Sequence, residues 1–143
     1  MRAMWSNRVY VDHLRSVAMF KDFSRKDLEA IAVAGQHLSV KEGRTLVEQD
    51  ASGYDAYVVL SGTVRLKRNG RKVADVGPGA IIGELSLLDH GPRTATATCA
   101  TDCDILVLSR GSFLGTLDRV PALRNKLLTS LAGRVRDLDR GII

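Results

Sequence analysis

The stretch Gly83-Glu84-Leu85-Ser86-Leu87-Leu88-Asp89-His90-Gly91-Pro92-Arg93-Thr94-Ala95-Thr96 lies inside a region of short apolar–polar strands and breaks their alternation. Gly83 permits a positive φ or a close backbone approach. Residues 84–88 contain neither glycine nor proline and suit one short helical turn. The start of such a turn presents unpaired backbone N–H groups and a positive dipole end, which suit an anion. Pro92 then fixes the chain, and Arg93 follows at the entrance of the next strand, where a guanidinium can grip a phosphate bidentately. Glu84 adds a carboxylate, an acceptor for sugar hydroxyls. An anion cradle, a fixed cation and a hydroxyl acceptor between Gly83 and Arg93 describe a sugar-phosphate site.

The flanking sequence reads as many short strands, at 37–41, 44–48, 56–60, 63–68, 71–76, 94–100 and 104–109. They are rich in Val, Thr, Leu and Ile, and Gly43, Gly53, Gly62, Asn69-Gly70, Gly77-Pro78-Gly79 and Thr101-Asp102 separate them. Frequent turn signals between short strands argue for a sandwich or small barrel. Asn69-Gly70 is the sharpest of them, since a type I′ hairpin turn needs positive φ at both central residues. Around it Val64, Leu66 and Val73 alternate with Arg65, Lys67 and Lys72, so one face is expected to be buried and the other solvated.

Helices bracket this region. Ser24-Arg25-Lys26-Asp27 resembles a capping box, Leu28, Ile31 and Ala32 form an apolar stripe, and Gly35 is the expected stop. Phe20 and Phe23 stand where they can pack back as a staple. Beyond residue 110, Leu123, Leu127, Leu131, Val135 and Leu138 recur at steps of four and three, with Pro121 where a helix can begin. The expected fold is mainly β with flanking helices: one domain over 1–143, with N-terminal helices at about 8–35, an antiparallel, jelly-roll-like β-roll at about 37–109 and C-terminal helices at about 110–140, the last a lid.

Three motifs carry a family resemblance over nearly the whole chain. Gly83-Glu84-Leu85-Ser86-Leu87 with Pro92-Arg93-Thr94-Ala95-Thr96 resembles the phosphate-binding cassette of cyclic-nucleotide-binding domains. Tyr57-Val58-Val59-Leu60-Ser61-Gly62-Thr63-Val64 resembles the family's strand–glycine–strand element. Gly77-Pro78-Gly79-Ala80-Ile81-Ile82-Gly83 resembles the turn leading into the cassette. The resemblance implies that Arg93 holds the cyclic phosphate and that Glu84 accepts from the ribose 2′-hydroxyl. It gives the backbone N–H groups of Leu85, Ser86 and Ala95 to the cradle, lets the ribose approach at Gly83, and puts the Thr94 hydroxyl near phosphate or base. Leu66, Val73 and Ala74 would line the base wall, with Arg134 and Leu138 of the last helix as base caps. The implied function is a regulatory sensor, with cyclic AMP favoured over cyclic GMP and the C-terminal helix moving on binding.

The remaining residues suggest no other chemistry. The 143-residue chain is 45% hydrophobic and 26% charged, as one soluble domain would be, and no apolar run approaches a membrane span. No signal-peptide h-region follows Met1, so a cytoplasmic location is expected. The net charge of +5 suits solubility as readily as an anionic partner. His13, His37 and His90 are scattered, and Cys99 and Cys103, flanking an expected hairpin turn, lack a second pair, so neither a metal nor another cofactor is expected. The basic cluster Arg65, Lys67, Arg68, Arg71 and Lys72 lacks interleaved aromatics. No nucleophile–base pair suggests an enzyme. The leucine stripe of the last helix suits core packing or a homodimer. The family's transcription factors continue into a helix-turn-helix module, whereas this sequence stops at Ile143, so no direct DNA binding is expected. The alternatives are a sensor fragment of a larger regulator and a ligand-free scaffold.

Overall fold

The computed structural model describes residues 11, 12, 14, 15, 20–83 and 91–139, the side chains of residues 130, 134 and 137–139 apart. Helix α1 (Arg25–Ala34) leads into strands β1 (Gln36–Val40), β2 (Thr45–Val47), β3 (Asp55–Ser61), β4 (Val64–Arg68), β5 (Arg71–Val76), β6 (Ile81–Ile82), β7 (Thr96–Cys99) and β8 (Cys103–Ser109). Helices α2 (Arg110–Arg119) and α3 (Pro121–Asp139) follow. The strands form two four-stranded sheets, β1-β8-β3-β6 and β2-β7-β4-β5, in which every pairing is antiparallel.

The patterning of β3 and β8 explains the layering. Both read as nearly continuous apolar runs, Ala56–Leu60 and Ile105–Leu108, because both are covered on two faces. Ala56, Val58, Leu60, Leu106 and Leu108 face the helices and pack with Phe20, Leu28, Ile31, Phe113 and Leu123. The alternate residues Val59, Ile105 and Tyr57 face the second sheet and pack with Val40, Val47, Val64, Ala97 and Cys99. The second sheet has one covered face. Val64 and Ala97 are buried while Thr45, Arg65 and Lys67 are exposed, the alternation of a half-solvated antiparallel sheet. The architecture is helices on sheet on sheet, the expected β-roll with flanking helices.

Local signals act where expected. The Ser24 hydroxyl caps α1 by accepting from the Asp27 N–H at 3.1 Å, and Phe20 and Phe23 are buried with their rings 5.3 Å apart. Gly35 ends the helix in extended backbone (φ −108°). The requirement there is space: a Cβ would lie 2.6 Å from the Leu106 side chain. Asn69 and Gly70 both take positive φ, 54° and 80°. Pro121 opens α3, whose Leu123 and Leu127 are buried.

Four features differ from the expected pattern. The two-residue β6 pairs with β3, Tyr57 opposite Ile82; it is too short to show a period. The turn between Cys99 and Cys103 carries the chain from one sheet to the other and makes no hairpin. Val73 is exposed: the register jumps from Leu66↔Ala74 to Lys67↔Lys72, leaving Val73 as the extra residue of a bulge, and bulges re-aim side chains. The leucine stripe of α3 is only partly covered: its Val135 is 57% exposed, and Leu128, which lies outside the stripe, is 59% exposed.

Candidate functional site

Arg93 joins the two sheets. It precedes β7, and its side chain, 4% exposed, reaches the opposite sheet. Nη1 donates to the Gly83 carbonyl at 3.1 Å and Nη2 to the Asp55 carbonyl at 2.8 Å. These carbonyls are neighbours because Tyr57 pairs with Ile82, so the start of β3 and the end of β6 lie side by side. The main chain of Arg93 is also fixed: its N–H donates to the Ala51 carbonyl at 3.0 Å, and its carbonyl accepts from the Asp50 N–H at 2.8 Å.

Two glycines make room for the guanidinium. A Cβ at Gly83, which has φ +88°, would overlap Arg93 Nη1, and a Cβ at Gly53 would overlap Nε and Nη2. A buried charge is costly unless paired. Among the described residues, the hydrogen-bond partners of the Arg93 side chain are main-chain carbonyls, and no carboxylate forms an ion pair with it. Two carbonyls take two of its five N–H donors and leave the positive charge uncompensated from that side. Such a group favours an anion.

Arg93 also lines a cleft of about 490 Å³, within the ~300–1,000 Å³ usual for small-molecule sites. The other walls are residues 45–48 of β2 and its end, the loop 51–55, and Tyr57. Burial and then the Asp55 carboxylate push the Tyr57 phenol up, while the Arg93 cation pulls the other way. At neutral pH Tyr57 is therefore an uncharged hydroxyl, able to donate.

The expected site residues divide into three groups. Gly83 and Arg93 are in contact, with Thr94 and Ala95 immediately following. Leu66 and Ala74 are cross-strand partners, and Leu66 packs in the same apolar body as Val47, Leu46 and Tyr57, which line the cleft; Val73 is exposed beside them. Glu84, Leu85 and Ser86 lie outside the described residues, as do His13 and His90, and the side chains of Arg134 and Leu138 lie outside the description of α3. Gly53, Asp55 and Tyr57 were not among the expected residues. They stand 36–40 positions before Arg93; the β3–β6 pairing and the main-chain bonds of residues 50 and 51 to Arg93 bring them to it.

The other titratable clusters are structural. His37 Nε2 lies 2.9 Å from Asp104 Oδ1, and Ser39 and Ser61 donate to the same carboxylate at 3.0 and 2.9 Å. Burial raises the Cys99 thiol to about 12, aided by the neighbouring Cys103. In the basic hairpin, Arg65 and Lys72 both pair with Asp75, at 3.1 and 2.9 Å. Among the described residues no group of His, Cys, Asp and Glu is arranged to hold a metal ion, and no helix is long and apolar enough to cross a membrane.

Comparison with known proteins bears on the family and the fold. The family model of the cyclic nucleotide-binding domain matches residues 37–120, which span both sheets and Arg93. The chain is 31% identical over 131 residues to the cyclic AMP receptor protein of Thermus thermophilus, across 88% of this chain and 61% of that protein. It is 40% identical over 74 residues to the cAMP-dependent protein kinase regulatory subunit of Eremothecium gossypii, across 52% of this chain and 16% of that one. The crystal structure of the Thermus thermophilus catabolite activator protein superposes with a TM-score of 0.78 at 32% identity, over 87% of this chain and 61% of that one. The chain thus spans about 61% of the length of the first of these relatives. The matched residues, the two-sheet roll and the shared sequence together place the chain in the cyclic nucleotide-binding domain family.

Proposed function

We propose that this domain is a regulatory sensor that binds a cyclic nucleotide monophosphate at Arg93, and that it is not an enzyme. The observation that carries the reading is the buried guanidinium, held by two main-chain carbonyls and paired with no carboxylate among the described residues. In this reading Arg93 grips the cyclic phosphate, the N–H groups of Leu85, Ser86 and Ala95 complete the cradle, and Glu84 accepts from the ribose 2′-hydroxyl. Gly83 lets the ribose approach, and Thr94 offers its hydroxyl to phosphate or base. Leu66 and Ala74 line the base wall, and Val73, which the bulge turns outward, stands beside it. Cyclic AMP is preferred to cyclic GMP, in keeping with the relatives named for cyclic AMP.

The base gives α3 a new apolar surface near Leu138 and Arg134. A helix satisfies its own backbone and can shift toward the pocket as a unit. Binding signals only if the helix prefers the occupied state. The reading includes no metal or other cofactor and assigns no contact with DNA or membrane to these residues; the proposed location is the cytoplasm. The direct test is thermal: a ligand at about 100 times its Kd adds roughly 2.7 kcal/mol to the folded state. Cyclic AMP should raise Tm and linear 5′-AMP should not. A melt indifferent to every cyclic nucleotide would leave the ligand-free scaffold as the better account.

A second reading concerns assembly. Leu128, half-buried Leu131 and Val135 follow one another at three and four residues on α3, and the first and last are exposed. That spacing is a coiled-coil seam, and we propose a homodimer through it. Sedimentation at rising concentration tests this: the native chain should dimerise, and Leu128→Glu with Val135→Glu should keep it monomeric.

A further inference from the structure

The segment that carries Arg93 is held at both edges. On one edge, the Gln49 N–H donates to Thr96 Oγ1 at 2.9 Å, and residues 50 and 51 exchange main-chain hydrogen bonds with Arg93. On the other edge, the β4–β7 ladder ends at Lys67↔Thr96. Beyond that point a side chain continues it: Arg68 Nε donates to the Thr94 carbonyl at 3.0 Å. The two edges are then tied together. Gln49 Nε2 donates to Asn69 Oδ1 at 2.8 Å, and Gln49 Oε1 accepts from the Asn69 N–H at 2.7 Å. The circuit Gln49–Asn69–Arg68–Thr94–Arg93–Asp50 closes on itself.

The consequence lies in one peptide plane. In a trans peptide the carbonyl of one residue and the N–H of the next point in opposite directions, and none of the described peptides is cis. By holding the Thr94 carbonyl toward the hairpin, Arg68 turns the Ala95 N–H the other way. We propose that Arg68 and Gln49 are positioning residues for the phosphate site: Arg68 orients the Thr94–Ala95 peptide, and Gln49 holds the hairpin tip from which Arg68 reaches. This inference rests on the cyclic-nucleotide reading of Arg93 and extends it to residues that need not touch the ligand. It also gives the conformation of Asn69-Gly70 a task, since the positive φ values there present the Asn69 amide and N–H to Gln49.

The test uses the whole chain, ¹⁵N-labelled, as the native protein and as Arg68→Ala and Gln49→Ala. Each is titrated with cyclic AMP by calorimetry and NMR at about 0.1 and 0.5 M salt, since the higher salt shortens the reach of a surface charge. The Arg68→Ala protein should bind about tenfold more weakly at both salts, the loss expected for one misplaced hydrogen bond to a charged group. Its Ala95 amide resonance should be displaced before ligand is added and should move less on saturation than in the native protein. Gln49→Ala should displace the same resonance in the same direction. Unchanged affinity, an unmoved Ala95 resonance in both variants, or a loss that vanishes at high salt would each overturn the proposal, the last because it would reduce Arg68 to a field effect. Failure of the native protein to bind any cyclic nucleotide would overturn the underlying reading instead, and that arm is read separately.

Discussion

Arg93 Nη2 reaches the main-chain carbonyl of Asp55 at 2.8 Å, a contact between residues 38 positions apart and on opposite sheets. The cation of the site is thus placed by the packing of the whole roll, and its position is sensitive to the backbone around it.

Gly53 and Gly83 test that sensitivity in different ways. At Gly53 the three atoms nearest an added methyl all belong to the guanidinium, so Gly53→Ala should weaken cyclic AMP binding while leaving Tm nearly unchanged. Gly83→Ala meets the guanidinium and also places a side chain at φ +88°, a backbone cost of ~1–2 kcal/mol. Calorimetry and melting of the two variants should show affinity lost in both and stability lost chiefly at residue 83. Equal stability losses would mean that Arg93 does not yield to the new methyl.

The Asp104 cluster sets an acid limit on stability. Burial works to raise this carboxyl, but hydrogen bonds from His37, Ser61 and Ser39 outweigh it and hold it below the usual carboxylate range. A depressed folded-state pKa contributes stability above the unfolded value of ~3.9, and the contribution is lost as pH falls through the folded one. Asp104→Asn should therefore lower Tm at pH 7, and the gap to the native protein should begin to narrow as pH falls below about 4. A gap that stays constant as pH is lowered from there would assign the effect to lost packing.

Cys99 is buried and its thiol is pushed up to about 12, so little thiolate exists at pH 8. Ellman's reagent should react slowly with the folded protein and quickly in denaturant. Saturating cyclic AMP should slow the folded reaction further by suppressing opening. Rapid reaction of the folded protein would contradict the burial.

Helix α3 carries the proposed switch. Hydrogen exchange with and without cyclic AMP should show increased protection in residues 130–139. Protection confined to the segment around Arg93 would make α3 a fixed scaffold.

What the sequence showed in advance follows the range of each signal. The Ser24 cap, the Asn69-Gly70 turn and the Pro121 helix start are local and stand where they were expected. Gly83 and Arg93 were legible because the segment joining them is short. The role of Gly53 was not: a glycine between Ser52 and Tyr54 reads as a spacer until the fold lays Arg93 across it. Val73 fits an alternating strand in sequence, and only the bulge in register turns it outward. Val135 continues the apolar period of Leu123, Leu127 and Leu131 beyond the reach of the core, and Leu128 lies outside that period.

The most direct measurement is calorimetric titration of cyclic AMP into the native chain and into Arg93→Ala. Removing one partner of a desolvated charge pair costs ~2–5 kcal/mol, so the variant should remain folded and lose most of its affinity. A folded Arg93→Ala that binds as tightly as the native protein would contradict the account at its centre.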